Sequence, residues 1–299
     1  MSNFYPFGRR GTLLTTFGAA QALIIVFAFV PAVAVIAISF TDISGLPNFP
    51  INWVGIQNYV TFFSAAHLGY NLNALGNTLV YALSTTIIIN VLALSFALLF
   101  NQRLRGTTFY RALVFMPTVL GVTVIGLIWS LVFNPTGGPA ASVWKVFGAS
   151  SAFFGDPHLA LTLVIAVQIW SGIGVAMVIY LAGLQAVPAD LYEVASIDGA
   201  SPWQKFRHVT FPLLAPSLTA NVLLSIIGAL QSYQLAYVLT GPSNPATQLL
   251  SLAIFAQGFG GGVNGSQGYA AAISVVQFVI VGIISLAVMW YLRRRESRL

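Results

Sequence analysis

Residues 159–184 read LALTLVIAVQIWSGIGVAMVIYLAGL, running from Leu159 to Leu184 without one charged side chain. About 20 apolar helical residues cross a hydrocarbon core about 30 Å thick, so this stretch is long enough to span a bilayer. The rest of the chain is built the same way. Of 299 residues, 58% are hydrophobic and only 6% charged, with mean hydropathy +0.87. A soluble domain carries about 25% charged residues; too few are present here to cover a water-facing surface.

Apolar stretches near 17–40, 76–100, 112–133, 159–184, 212–234 and 268–292 predict six transmembrane helices and an all-α, polytopic fold, taken as a single transmembrane domain over 1–299. None of the 12 basic or 6 acidic side chains falls inside them, as the cost of a charge at membrane depth requires. Arg9 and Arg10 precede the first stretch. Arg103, Arg105 and Arg111 separate the second from the third, Lys205 and Arg207 the fourth from the fifth, and Arg293, Arg294, Arg295 and Arg298 follow the sixth. The opposite segments hold only Lys145. By the positive-inside rule both termini are expected in the cytoplasm. The first stretch is longer than a signal-peptide core and reads as an uncleaved anchor; cleavage would leave five spans.

The net charge of +6 is spread between the spans rather than gathered in a patch, which argues against nucleic acid. With no cysteine, disulfides, thiol catalysis and Cys-ligated metals are excluded. His67, His158 and His208 are scattered, so no catalytic or metal site is assigned. Residues 41–75, with Trp53, Tyr59, Phe62 and Phe63, read as carrying a short interfacial helix. Residues 235–267, with Gly241-Pro242 and Gly260-Gly261-Gly262, read as turns.

The loop at 187–212 carries the chemistry. Pro188 suits a first helical turn, Asp190 and Glu193 favour its positive end, and Gly199 stops it. Ser201-Pro202 starts a second short helix running to Pro212. Leu191, Val194, Ile197, Trp203 and Phe206 are apolar side chains on a helix pair too small to bury them. They fit either a partner protein or lipid headgroups.

Glu193-x-Ala195-x-x-Asp198-Gly199-Ala200, followed by Phe206 and Val209-x-Phe211-Pro212, resembles the EAA loop of binding-protein-dependent ABC importer permeases. Val194 and Phe211 depart from the family's Ala and Leu. Val54-Gly55-Ile56-Gln57-Asn58-Tyr59, Asn77-Thr78, Gln231-Ser232-Tyr233, Thr240-Gly241-Pro242 and Gly268-Tyr269-Ala270-Ala271-Ala272 are similar to the carbohydrate-uptake branch. There the likeness is to the maltose F-type and glycerol-phosphate A-type subunits.

The resemblance implies one permease half of an importer in the bacterial cytoplasmic membrane. A second homologous permease, two cytoplasmic ATPase subunits and an extracytoplasmic solute-binding protein are the implied partners. ATP and Mg2+ belong to the ATPase; this chain lacks the pattern G-x-x-x-x-G-K-[ST], is not expected to be an enzyme and needs no cofactor. Carried over by position, Glu193, Ala195, Asp198, Gly199, Ala200, Phe206 and Pro212 would form the coupling set.

For a sugar, the path needs hydrogen-bonding and aromatic side chains without fixed charge. Gln168, Trp170, Gln231, Tyr233, Gln234 and Gln277 are the candidates, although intramembrane amides and hydroxyls also act as glue between helices. A non-sugar importer permease and an ion-coupled secondary transporter are the rival readings. The second expects ionisable residues within spans and repeated halves.

Overall fold

A computed structural model describes residues 17–18, 20–46, 50–102, 105–260 and 266–296. Arg9, Arg10, Arg103, Gly261, Gly262 and Arg298 lie outside the described residues. The described chain is helical, with one isolated antiparallel bridge between Thr41 and Trp53. Its helices are α1 (Ala20–Ile38), α2 (Gln57–Phe62), α3 (Ala65–Phe100), α4 (Thr107–Val119), α5 (Val122–Val132), α6 (Pro139–Val146) and α7 (Ala160–Gln185). They continue with α8 (Ala189–Ile197), α9 (Pro202–Leu213), α10 (Ala215–Leu230), α11 (Gln234–Thr240), α12 (Leu250–Phe259) and α13 (Gln267–Glu296).

Four helices, α1, α3, α7 and α13, are long and apolar enough to cross a membrane unbroken. The expected spans at 112–133 and 212–234 are instead bent pairs, α4–α5 at 99° and α9–α10 at 65°; six crossings result when each pair counts as one. Proline explains both bends. Pro117 sits within α4, and Leu120 and Gly121 then turn extended. Pro216 opens α10 just after the second bend; its ring lacks the N–H and crowds the carbonyl four residues back. The fifth span also ends early, at Leu230.

Two further expectations are corrected. Helix α3 begins at Ala65 rather than 76, and its 36 residues measure about 54 Å, more than a bilayer core needs. Its first turns are polar, and hydropathy alone misses them. Segment 235–267 holds α11 and α12 rather than turns alone; Gly241, at φ +77°, ends α11 as the Gly-Pro pair predicts. Within 41–75, where a short helix is expected, lies α2.

The chain divides into two compact units, Met1–His67 with Ile254–Val276, and Leu68–Ala253 with Gln277–Leu299. In the first, the Val54–Tyr59 motif finishes α1. The Asn58 amide donates to the Ser39 and Thr41 carbonyls, both at 2.8 Å, and the Tyr59 and Ser39 hydroxyls lie 2.7 Å apart. Helix ends leave carbonyls unpaired, and Asn58 satisfies two of them. Beside this, Asn52 donates to Asp42 through its side chain (2.8 Å) and its N–H (2.6 Å), holding that exposed carboxyl below its ordinary pKa.

In the second unit, Asn77 reaches the Pro245, Ala246 and Gln248 carbonyls at 3.2–3.3 Å, and the Leu250 N–H donates to the Thr78 hydroxyl at 2.9 Å. The Asn77-Thr78 pair thus anchors the chain between α11 and α12. One apolar cluster of this unit joins Tyr81, Val164 and Leu235, and a second joins Ile89, Met177, Tyr180 and Leu214. Gly126 faces Val238 so closely that a Cβ would collide with that side chain, which lets α5 lie directly against α11.

Candidate functional site

Two places in the larger unit are candidates for function: the loop at 187–212 and a pair of clefts beside the broken helices.

The loop folds as its sequence directs. Pro188 precedes α8, Asp190 lies in its first turn, and Gly199 ends it at φ +72°. Two bonds close the end: the Ala200 N–H to the Ala195 carbonyl at 2.9 Å and the Gly199 N–H to the Ser196 carbonyl at 3.1 Å. That pairing is the Schellman arrangement, and it needs a residue at ease in the left-handed region. Ser201 caps α9 in a reciprocal box, its N–H donating to Gln204 Oε1 at 2.7 Å while its hydroxyl accepts from the Gln204 N–H at 3.4 Å.

Side-chain ties then make the helix pair one rigid piece. Lys205 Nζ donates to Ser196 Oγ at 2.6 Å, and the Tyr192 and Thr210 hydroxyls lie 3.0 Å apart. Trp203 stacks on Phe206 with centroids at 5.5 Å, Phe206 meets Phe211 at 6.0 Å, and the Arg295 guanidinium lies 5.3 Å from the Phe211 centroid. The end of α13 therefore rests on the loop. Pro212 lies in the last turns of α9, just before the bend.

Leu191, Val194, Ile197 (85% exposed) and Trp203 (66%) present apolar surface outward. Glu193, Asp198 and Gly199 are exposed beside them, while Ala195, Ala200 and Phe206 are half-buried. The pair thus exposes four large apolar side chains beside small residues and two acidic ones, and exposed apolar groups of this kind are characteristic of interaction surfaces.

The first cleft, about 290 Å³, is lined by Thr85, Gln168, Asn221, Ser225 and Ser232 among apolar neighbours. The second, about 260 Å³, is lined by Thr118, Gln168, Ser171, Ser232 and Gln234. Gln168 and Ser232 belong to both, and neither cleft has a charged residue in its lining. Irregular backbone at membrane depth is tolerated where it is buried or lines a cavity. The break between α10 and α11 delivers Ser232 to both clefts, and the break between α4 and α5 delivers Leu120 and Val122 to the second.

The path candidates sort into two groups. Gln168 and Gln234 reach a cleft. Trp170 meets Trp129 edge-on at 5.4 Å, and Tyr233 packs against the first apolar cluster. Gln231 is exposed in the break and lines neither cleft. Gln277 is buried, donating to the Leu230 carbonyl (3.0 Å) and Ser251 Oγ (2.7 Å), so it satisfies the end of α10. Thr85 and Ser225 were not among the candidates. Asn221, Ser225, Gly228 and Ser232 recur at spacings that fall on one helical face, and that polar, small-residue stripe is the signal that finds Ser225.

Residues 89–298 match the family described as binding-protein-dependent transport system inner membrane component. The trehalose/maltose transport system permease protein MalF of Thermococcus litoralis is 32% identical, covering 87% of this chain and 86% of its own. The sn-glycerol-3-phosphate transport system permease protein UgpA of Agrobacterium fabrum is 33% identical over 77% of each. A crystal structure of a bacterial alginate ABC transporter, in complex with its alginate pentasaccharide-bound periplasmic protein, contains a chain of the same fold. That match has TM-score 0.75 at 19% identity, covering 97% of this chain and 95% of the other.

Proposed function

The chain belongs to the binding-protein-dependent transport system inner membrane components, and on that premise we propose that it forms half of the translocation path of an ATP-driven importer for a sugar or sugar derivative. It is a multi-pass membrane protein and a transport permease subunit. The observation that carries the coupling half of the proposal is the rigid, outward-facing apolar patch on α8 and α9.

In this reading a second permease packs beside the chain, and two cytoplasmic ATPase subunits, with their ATP and Mg2+, receive the coupling loops. Glu193 pairs with a basic group of the ATPase, and Ala195, Asp198, Gly199 and Ala200 allow close approach. The helix pair and its ties to Phe211 and Pro212 transmit ATPase closure as a rigid-body movement. An extracytoplasmic binding protein delivers the solute to the segments opposite the loop. Basic flanks favour cytoplasmic termini in a bacterial cytoplasmic membrane, and the Arg295–Phe211 contact fits, since it sets the end of α13 at the coupling loop.

The solute half rests on the uncharged, hydrogen-bonding clefts and on what the relatives transport. Gln168, Ser232 and Gln234 would hold sugar hydroxyls. The trehalose/maltose relative supports a sugar as that solute.

The test is to purify the tagged chain from its native membrane beside a Glu193→Arg, Gly199→Trp double variant. The wild type is expected to bring down a second multi-span permease and an ATPase carrying a P-loop, and the variant to lose the ATPase while keeping the permease. A wild type without an ATPase, and a variant behaving identically, would return the secondary transporter to first place.

A further inference from the structure

The last helix carries an exposed apolar stripe that ends in charge. Val279, Ile283, Leu286 and Trp290 recur every three or four residues along α13, each with half or more of its surface exposed. The same periodicity continues to Arg293. At that end Leu286, Met289, Trp290, Arg293 and Arg294 line an open groove of about 700 Å³. The Arg294 guanidinium lies 5.3 Å from the Trp290 ring centroid, which fixes its direction over the groove. Arg295, one step further round, is turned the other way onto Phe211.

We infer that this groove is a binding site for an anionic phospholipid, whose phosphate sits between Arg293 and Arg294 and whose acyl chain lies along Trp290, Leu286, Ile283 and Val279. The occupant must be amphiphilic, because the wall is apolar for most of its length and doubly cationic at one end. Charge complementarity chooses between the two amphiphiles at hand. A neighbouring transmembrane helix would present its own basic flank at this level and meet the two arginines with like charge. An anionic headgroup is attracted to them. A tryptophan at the end of a span is at home at the headgroup level. The inference requires that α13 crosses the membrane with this face open to lipid, and it is independent of which solute is carried.

Fluorescence quenching tests it on the full chain in phosphatidylcholine vesicles containing a small, equal fraction of either brominated phosphatidylglycerol or brominated phosphatidylcholine. The Trp290-dependent part of the signal is isolated by difference against Trp290→Phe. Brominated phosphatidylglycerol is expected to quench that part with about tenfold higher apparent affinity, and the Arg293→Gln, Arg294→Gln variant to remove the preference. Should that variant misfold, raising the salt on the wild type serves instead, since screening weakens an exposed ionic preference, while Arg293→Lys, Arg294→Lys keeps part of it. Equal quenching by the two lipids would show that the arginines select no headgroup and overturn the inference. So would a Trp290 that neither lipid reaches, which would mark the groove as covered by protein.

Discussion

The loop at 187–212 and the clefts differ in how far apart in sequence their determinants lie. The caps and turns that shape the loop act within a few residues: Pro188 opens α8, Gly199 closes it, and Ser201 with Gln204 caps the next turn. The first cleft draws on Thr85, Gln168, Asn221 and Ser232, which come together only when three helices and the break after α10 pack. The lesson is that a motif made of caps and turns carries its geometry with it. A site made of helix faces depends on rotations and breaks set elsewhere in the molecule.

The largest effect is expected where that local geometry is violated. Gly199→Val puts a branched side chain at φ +72°, where left-handed backbone costs an ordinary residue about 1–2 kcal/mol and a branched one more. Recovery of the ATPase in pull-downs should fall by about tenfold or more, while the companion permease stays bound. If the ATPase is retained, docking does not depend on how α8 ends.

Next in size is Gln168→Leu, at the residue the two clefts share. Solute uptake in reconstituted vesicles should drop about tenfold, the scale of losing a hydrogen bond or two to a bound ligand, with ATPase recruitment unchanged. Trp170→Phe, behind the clefts against Trp129, should leave the apparent affinity for solute alone. Reversal of these two outcomes would put the path on the other side of α7.

Gln277→Leu sharpens the distinction between polar residues that line a path and those that hold the helices. It strips the Leu230 carbonyl of its 3.0 Å donor and should cost about 1 kcal/mol of stability, read from denaturation in detergent. Uptake per folded molecule should not change. A selective loss of uptake instead would return Gln277 to the path.

These predictions follow the boundary of what was legible. Membrane class, the basic flanks and the helix–turn–helix shape of the loop at 187–212 could be read directly, because composition and local capping determine them. The bends were not: Pro117 and Pro216 are visible, but a proline in an apolar run is compatible with either a kink or a full break. The extension of α3 to Ala65 was hidden because its outer turns are stabilised by distant partners, Asn73 donating to the Pro245 carbonyl at 2.8 Å. Among the path candidates, the amides at 168 and 277 looked alike in sequence. Only packing separates Gln168, which faces two clefts, from Gln277, which mends a helix end.

The smallest expected effect lies where the loop departs from its family pattern. Phe211 replaces the Leu of that pattern, and the structure gives the ring two neighbours, Phe206 at 6.0 Å and the Arg295 guanidinium at 5.3 Å. Leu keeps apolar contact with Phe206 but cannot offer a cation a π-face, so Phe211→Leu removes the Arg295 contact together with the ring–ring contact, and Arg295→Ala removes the first alone. At an exposed site the Arg295 contact is worth about 0.5–1 kcal/mol, roughly a threefold shift. Assembly should be intact, since no docking residue changes, and the ratio of solute imported to ATP hydrolysed should fall about threefold. Arg295→Ala should match it and the double variant add nothing further, because both remove the Arg295 contact. Additive losses would mean that Arg295 and Phe211 act separately. The loop would then be mechanically complete in its own sequence, and the contrast with the clefts would be sharper than the structure makes it.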